Sequence, residues 1–291
     1  MLDNGFEMAT QPRQQENATG RSSSPQRGAR LFHWTRSSLV HLVGFMVTVS
    51  LIAVYWRPLF IDYVHWLSSG PDLWARLDWL LLGVFVAMLL LIMVGADWKA
   101  DLRIVLVGFA GGLAIESWGT QTDLWHYFTL ERPPLWIIPA WPIASLAIDR
   151  LFRMLDWLYG RWMSESRSDG FFRWCYWIIF PGFLALLVSF VWPALDRPGT
   201  WLASALCLLL TAMPTDKRAA VLTFVAGSGL GYFLERWGTT RACWTYYTQQ
   251  TPPLFAVLAH GMASVIFMRV VEFAKVLKPR LKRLVIRPQP K

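Results

Sequence analysis

One segment of the chain occurs twice, 119 residues apart and without a gap. The first copy carries Glu116-Ser117-Trp118-Gly119-Thr120, then Trp125, Tyr127, Thr129 and Pro133-Pro134-Leu135. The second carries Glu235-Arg236-Trp237-Gly238-Thr239, then Trp244, Tyr246, Thr248 and Pro252-Pro253-Leu254. Between 114–145 and 233–264, 13 of 32 positions are identical. A repeat of this quality restricts the fold to two copies of one unit. It also singles out what the unit has kept: a carboxylate, several Trp and Tyr, and a Pro-Pro corner.

Hydropathy says where such a unit lives. Charged residues make up only 16% of the chain, against about 25% in soluble domains. Eight apolar stretches, at about 38–56, 79–96, 102–118, 135–152, 174–192, 200–213, 219–236 and 254–273, approach the roughly 20 residues that cross a bilayer core. The sixth is short and is interrupted by Thr211 and Pro214, so seven spans is the alternative count. The expected fold is all-α: a polytopic membrane helical bundle of about eight transmembrane helices, arranged as two parallel four-helix repeats. The boundaries are a disordered polar segment at 1–37, a first membrane repeat at 38–152, a linker at 153–173, a second membrane repeat at 174–273 and a basic tail at 274–291. The connection at 57–78 is longer than its counterpart at 193–199 and suits a short interfacial helix built on Ile61, Trp66, Leu67, Trp74 and Leu77.

The net charge of +9 is unevenly spread. Arg13, Arg21, Arg27, Arg30 and Arg36 precede the first stretch, and Arg150, Arg153, Arg161, Arg167 and Arg173 surround the fourth-to-fifth connection. Lys275, Lys278, Arg280, Lys282, Arg283, Arg287 and Lys291 follow the last stretch, whereas the alternate connections carry few bases. This is the positive-inside pattern, which puts a multi-pass protein in the cell inner (plasma) membrane with both termini cytoplasmic. It also argues against nucleic acid as a partner. The expected partners are membrane lipids, with anionic headgroups at the basic termini, and another membrane protein if the role is non-catalytic.

Spans three and seven then run outward, with Glu116 and Glu235 near their outer ends and the aromatic loop beyond them. Gly119 and Gly238 suit helix ends with positive φ, and the Pro-Pro pairs suit helix starts. Ahead of each Glu the helix reads Gly108-x-x-x-Gly112-x-x-x-Glu116 and Gly227-x-x-x-Gly231-x-x-x-Glu235. That spacing places all three residues on one helix face, and small residues in lipid let a neighbouring helix approach closely. Each carboxylate therefore belongs to a helix seam. If the two face each other they cannot both ionise cheaply, which makes a proton donor surrounded by Trp. Intramembrane carboxylates are costly and mark function by default, but a duplicated structural latch accepting hydrogen bonds from Trp and Tyr fits the same pattern.

Trp118, Trp125, Tyr127, Trp141, Trp237, Trp244 and Tyr246 are the candidate substrate-binding residues. Trp and Tyr also gather at membrane boundaries whatever a protein does, yet the Trp-x-Tyr pair is fixed relative to Glu in both copies. Aromatic faces stabilise a cation within about 6 Å, whether a quaternary amine or a carbocation. His260 stands where the first copy has Trp141 and joins Glu116 and Glu235 as a candidate acid–base group, with a satisfied buried histidine as the alternative. Asp97 and Asp216 read as helix caps. Cys175, Cys207 and Cys243 have no metal-ligand spacing, and no metal or cofactor is expected. P-loop, nucleophile-elbow, GxGxxG and HExxH signatures are absent.

The run Gly112, Glu116, Gly119, Tyr127, Pro139 and Trp141 resembles a motif of carotenoid-synthesis membrane proteins, the carotenoid hydratase family first and lycopene-cyclase-like proteins more distantly. In the second copy Gly231, Glu235, Gly238 and Tyr246 match, while Leu258 and His260 replace the last two, and the tandem organisation is a departure. The resemblance implies an isoprenoid substrate, with a buried acid protonating a double bond and aromatics steadying the cation. Three readings follow: a lipid- or isoprenoid-modifying enzyme with a paired-glutamate site near the outer membrane face; a non-catalytic partner or scaffold of a membrane assembly; and a proton-coupled lipid or small-molecule transporter.

Overall fold

A computed structural model describes residues 34–70, 72–162, 165–213 and 215–285. The segment read as disordered, 1–37, falls outside these residues up to position 33, as do the last six residues of the basic tail. The elements in order are α1 (Arg36–Tyr55), α2 (Arg57–Ser68), α3 (Leu73–Arg76), α4 (Trp79–Met93), α5 (Trp98–Gln121), β1 (Trp125–Tyr127), α6 (Ala140–Trp162), α7 (Glu165–Val191), a 3-10 turn (Trp192–Ala194), α8 (Thr200–Ala212), α9 (Lys217–Thr240), β2 (Trp244–Tyr246) and α10 (Leu254–Val285). The chain is all-α apart from the two three-residue strands.

Among the described residues four helices are long and apolar enough to cross a membrane: α1, α5, α7 from Gly170 onward, and α10 as far as Lys275. Helices α4 and α8 are apolar but shorter. Each of the eight apolar stretches is helical, although the fourth helix starts at Ala140, and 135–139 forms turns. Residues 153–173, read as a linker, are mostly helix, because α6 runs on to Trp162 and α7 begins at Glu165. The long connection at 57–78 holds α2 and α3.

The halves use the same local devices. Asp97 caps α5 by accepting from the amides of Lys99 and Ala100, and Asp216 caps α9 by accepting from those of Arg218 and Ala219. Such caps satisfy amides that have no partner within the helix. Helix α5 packs on α6, α9 on α10, and α6 on α9 between the halves. The glycine seams make these approaches possible. A Cβ on Gly108 would lie 3.1 Å from the Pro142 Cα, and one on Gly227 would lie 2.8 Å from the Gly261 Cα.

At the opposite end of α5 and α6, Asp101 and Arg150 are both buried and pair at 2.5 Å. The His41 Nε2 lies 3.1 Å from the same carboxylate, and the Arg150 Nε donates to the Val94 carbonyl at 3.0 Å. Sequence alone reads Arg150 as an orientation charge, whereas the fold buries it as half of an ion pair that ties α1, α5 and α6 together. Its counterpart, Arg269, is equally buried, but the position of Asp101 is taken by Ala220, which has no carboxylate. Arg269 donates instead to the Leu210 carbonyl and the Tyr176 hydroxyl.

Candidate functional site

The strands β1 and β2 pair antiparallel, Trp125 opposite Tyr246, His126 opposite Thr245 and Tyr127 opposite Trp244. Two further bonds extend the ladder at 3.1 Å each, from the Phe128 amide to the Cys243 carbonyl and from the Tyr247 amide to the Leu124 carbonyl. Each turn that feeds a strand carries a positive φ at the same place, Asp123 and Ala242, and each exit does so at Leu130 and Gln249. The glycines expected to end the helices do something else. Helices α5 and α9 continue past them, and a Cβ on Gly119 would sit 1.8 Å from the Trp125 ring, as one on Gly238 would sit 2.0 Å from Trp244. They are the flat seats on which the two indoles lie.

Seated there, each indole reaches a carboxylate on its own helix. Trp125 Nε1 donates to Glu116 Oε2 at 3.0 Å, and Trp244 Nε1 to Glu235 Oε2 at 2.9 Å. The Tyr127 and Tyr246 hydroxyls donate to the respective Oε1 atoms, both at 2.9 Å. The third partner differs. Trp141 Nε1 donates to Glu116 Oε1 at 3.2 Å, whereas His260 Nε2 lies 3.0 Å from Glu235 Oε1. Gly112 and Gly231 leave room for these rings, since a Cβ at either would meet the Trp141 or His260 side chain within 2.6 Å.

Both carboxyl groups are buried, and each of their four oxygens accepts from a Trp N–H or a Tyr O–H. Among the described residues no hydrogen bond joins Glu116 to Glu235. They meet through Trp141 and His260, whose rings stack with centroids 5.7 Å apart. The interleaved rings Tyr127–Trp244 and Trp125–Tyr246 are each 5.8 Å apart. The two motifs therefore form one cluster.

A cavity of about 830 Å³ adjoins this cluster. Glu116, Glu235, His260, Trp118, Trp125, Tyr127, Trp141, Trp244 and Tyr246 all contribute to its wall, and most of the remainder is aliphatic or Phe. Among the described residues no Lys, Arg or Asp lines it. Trp237 stays off the wall and donates from Nε1 to Asp78 Oδ2 at 2.9 Å. The seam glycines Gly108 and Gly227 also lie away from it.

The second wall was not legible from the motif. It comes from α8, through Leu202, Ser204, Leu206 and Cys207, and from Phe183 and Leu187 of α7. The Ser204 Oγ is buried there without a hydrogen-bond partner. Leu106 of α5 and Leu202 and Leu206 of α8 line the cavity while remaining exposed, so it opens between these two helices. In the corresponding place in the other half, α4 packs directly on α9. There Asp78 takes Trp237 and Arg241 together, with Arg241 Nε at 3.0 Å. On the open side, Trp118 Nε1 makes a 3.4 Å contact to Thr200 Oγ1, and Arg197 stands 3.7 Å from Asp123. Asp78 lies outside the constant offset, so the repeat gave no signal for it.

Among the described residues no three of His, Cys, Asp and Glu gather as a metal-binding group. Burial pushes the Cys243 thiol up to about 11, leaving it protonated at neutral pH and unsuited to attack as a thiolate. Comparison of the chain with protein-family models, with curated proteins and with solved structures finds no match.

Proposed function

We propose that this chain is a multi-pass membrane enzyme that modifies a lipid or isoprenoid held in the cavity beside the two glutamates. The supporting observation is that one apolar cavity touches both carboxylates, His260 and six of the seven candidate aromatics. Eight spans in two parallel repeats suit this reading. So do the strand register, in which residue pairs exchange roles between copies, and the matching set of hydrogen bonds at the 119-residue offset. The positive-inside pattern puts the glutamate end at the outer face of the inner membrane and both termini in the cytoplasm.

The chemistry divides between the copies. Glu235 and His260 form the one dyad in the cluster that can pass a proton, with His260 as the carrier and Glu235 as its partner. Glu116, held by Trp and Tyr donors, lies on the cavity wall where its oxygens stabilise positive charge developing on the substrate. The faces of Trp118, Trp125, Trp141 and Trp244 serve the same end. The resemblance to carotenoid-synthesis proteins supports an isoprenoid whose double bond takes the proton.

Mass spectrometry of lipid and pigment extracts tests the reading, comparing cells that hold the wild type, the Glu116→Gln/Glu235→Gln variant or neither. A species formed only with the wild type is the expected result, and its mass difference names the reaction. Identical extracts, with both proteins in the membrane, end the enzymatic reading. One observation favours a second reading, a non-catalytic partner or scaffold. Each carboxylate already has three hydrogen-bond partners, as a structural latch would.

A further inference from the structure

The cavity wall carries two carboxyl groups and, among the described residues, no Lys or Arg. Its other ionisable groups are His260, the tyrosines and Cys207. Burying a carboxylate is costly unless a cation accompanies it, so an anion does not suit this wall, whereas a ligand that brings a positive charge does. The rest of the wall describes the body of the molecule that would bring it. Trp118, Trp125, Trp141 and Trp244 offer aromatic faces near the carboxylates, and Leu206, Ile266 and Phe267 continue the wall as hydrocarbon.

From this charge complementarity we infer that the cavity is built for a lipophilic cation: a protonated or quaternary amine on a hydrocarbon chain. The inference deepens the reading of the cavity as a lipid site and rests on it. The ammonium group sits at the end of the cavity walled by Glu116, Glu235 and the indoles, and the chain lies along α8 and α10 toward the opening beside Leu106 and Leu202. An anionic amphiphile meets two like charges here. A zwitterionic phospholipid headgroup brings a phosphate for which the wall supplies no base. A neutral amphiphile fits the apolar part but leaves the carboxylates uncompensated. The selected class is therefore an amine-bearing amphiphile without a phosphate.

The test uses two photoreactive probes with the full-length protein in lipid nanodiscs. One is a diazirine-bearing dodecyltrimethylammonium, and the other is its uncharged isostere, with carbon in place of nitrogen. Peptide mapping locates the crosslinks. The expected result is labelling of the α8 and α10 walls by the ammonium probe at roughly tenfold lower concentration than by the isostere, with excess unlabelled dodecyltrimethylammonium blocking it. In the Glu116→Gln/Glu235→Gln variant, checked for folding by its melting profile, the preference falls to about one. Equal labelling by both probes overturns the inference while leaving an apolar ligand site, and with it the proposed enzyme, intact. Labelling of the cavity by neither probe overturns the inference as well. Failure of the enzymatic reading registers separately, in the lipid extracts.

Discussion

Trp141 and His260 stack nearly parallel, their planes 19° apart, and each reaches the Oε1 atom of a different glutamate. They occupy the same position in the two copies, so one exchange of an indole for an imidazole separates a fixed half from a titratable one. His260→Trp keeps a ring donor on Glu235 and a shape that Gly112 already accommodates in the other copy. We expect the variant to fold but to lose the proton-transfer step. The check is the rate of product formation in membranes, which falls at least about 100-fold.

Gly119→Ala and Gly238→Ala place a methyl group inside the ring of Trp125 or Trp244. Either indole must leave its seat and its carboxylate, and the expected destabilisation is about 1–3 kcal/mol. Gly44→Ala and Gly182→Ala are the controls, because nothing lies within 4 Å of a Cβ at either position. Thermal unfolding in detergent should separate the pairs, with the controls within about 0.5 kcal/mol of the wild type.

Asp101→Ala leaves the buried Arg150 with only the partly exposed Asp149 as a carboxylate partner, a change that costs up to about 3–5 kcal/mol. Removing both charges in Asp101→Leu/Arg150→Met should restore much of that stability. Denaturant titration of the two variants side by side measures the difference. A double variant as unstable as the single one would mean that the pair itself, and not the stranded charge, matters.

Asp78 predicts a pH dependence at the closed side of the bundle. Burial opposes ionisation, but the Leu81 amide, the Trp237 indole and Arg241 outweigh it and hold the carboxyl below its usual range. A free Asp titrates near about 3.9. The stabilisation is therefore complete above that value and is lost as pH falls through the lower folded value. Hydrogen exchange at the start of α4 should speed up in that acid window. The Asp78→Asn variant should exchange fast at neutral pH and show no further acid step.

The carboxylate cluster was readable because its parts are local. Trp125 and Tyr127 follow Glu116 within eleven residues, and the second copy repeats the spacing at Glu235, Trp244 and Tyr246. The roles of the glycines were less legible. A helix-ending glycine and one that seats an indole look alike in sequence, and only the ring against Gly119 distinguishes them. The cavity was hidden for another reason. Leu202 and Leu206 carry the same apolar signal whether they face lipid or line a hollow, so hydropathy could not assign them. Arg150 and Asp78 needed partners 49 and 163 residues away, Asp101 and Arg241, which no local pattern supplies.

The ion pairs beside the strands exchange their signs between the copies. At one junction between the halves the turn supplies the base, Arg241, and the start of α4 supplies the acid, Asp78. At the other the turn supplies the acid, Asp123, and the segment before α8 supplies the base, Arg197. Two first halves joined in the same way would set Asp78 against Asp123 at both junctions, with Arg132 as the neighbouring base. Two second halves would set Arg241 against Arg197. The charges beside the strands thus complement each other only when a first copy of the segment meets a second, and this asymmetry gives the pairing a direction that the repeated motif alone does not carry.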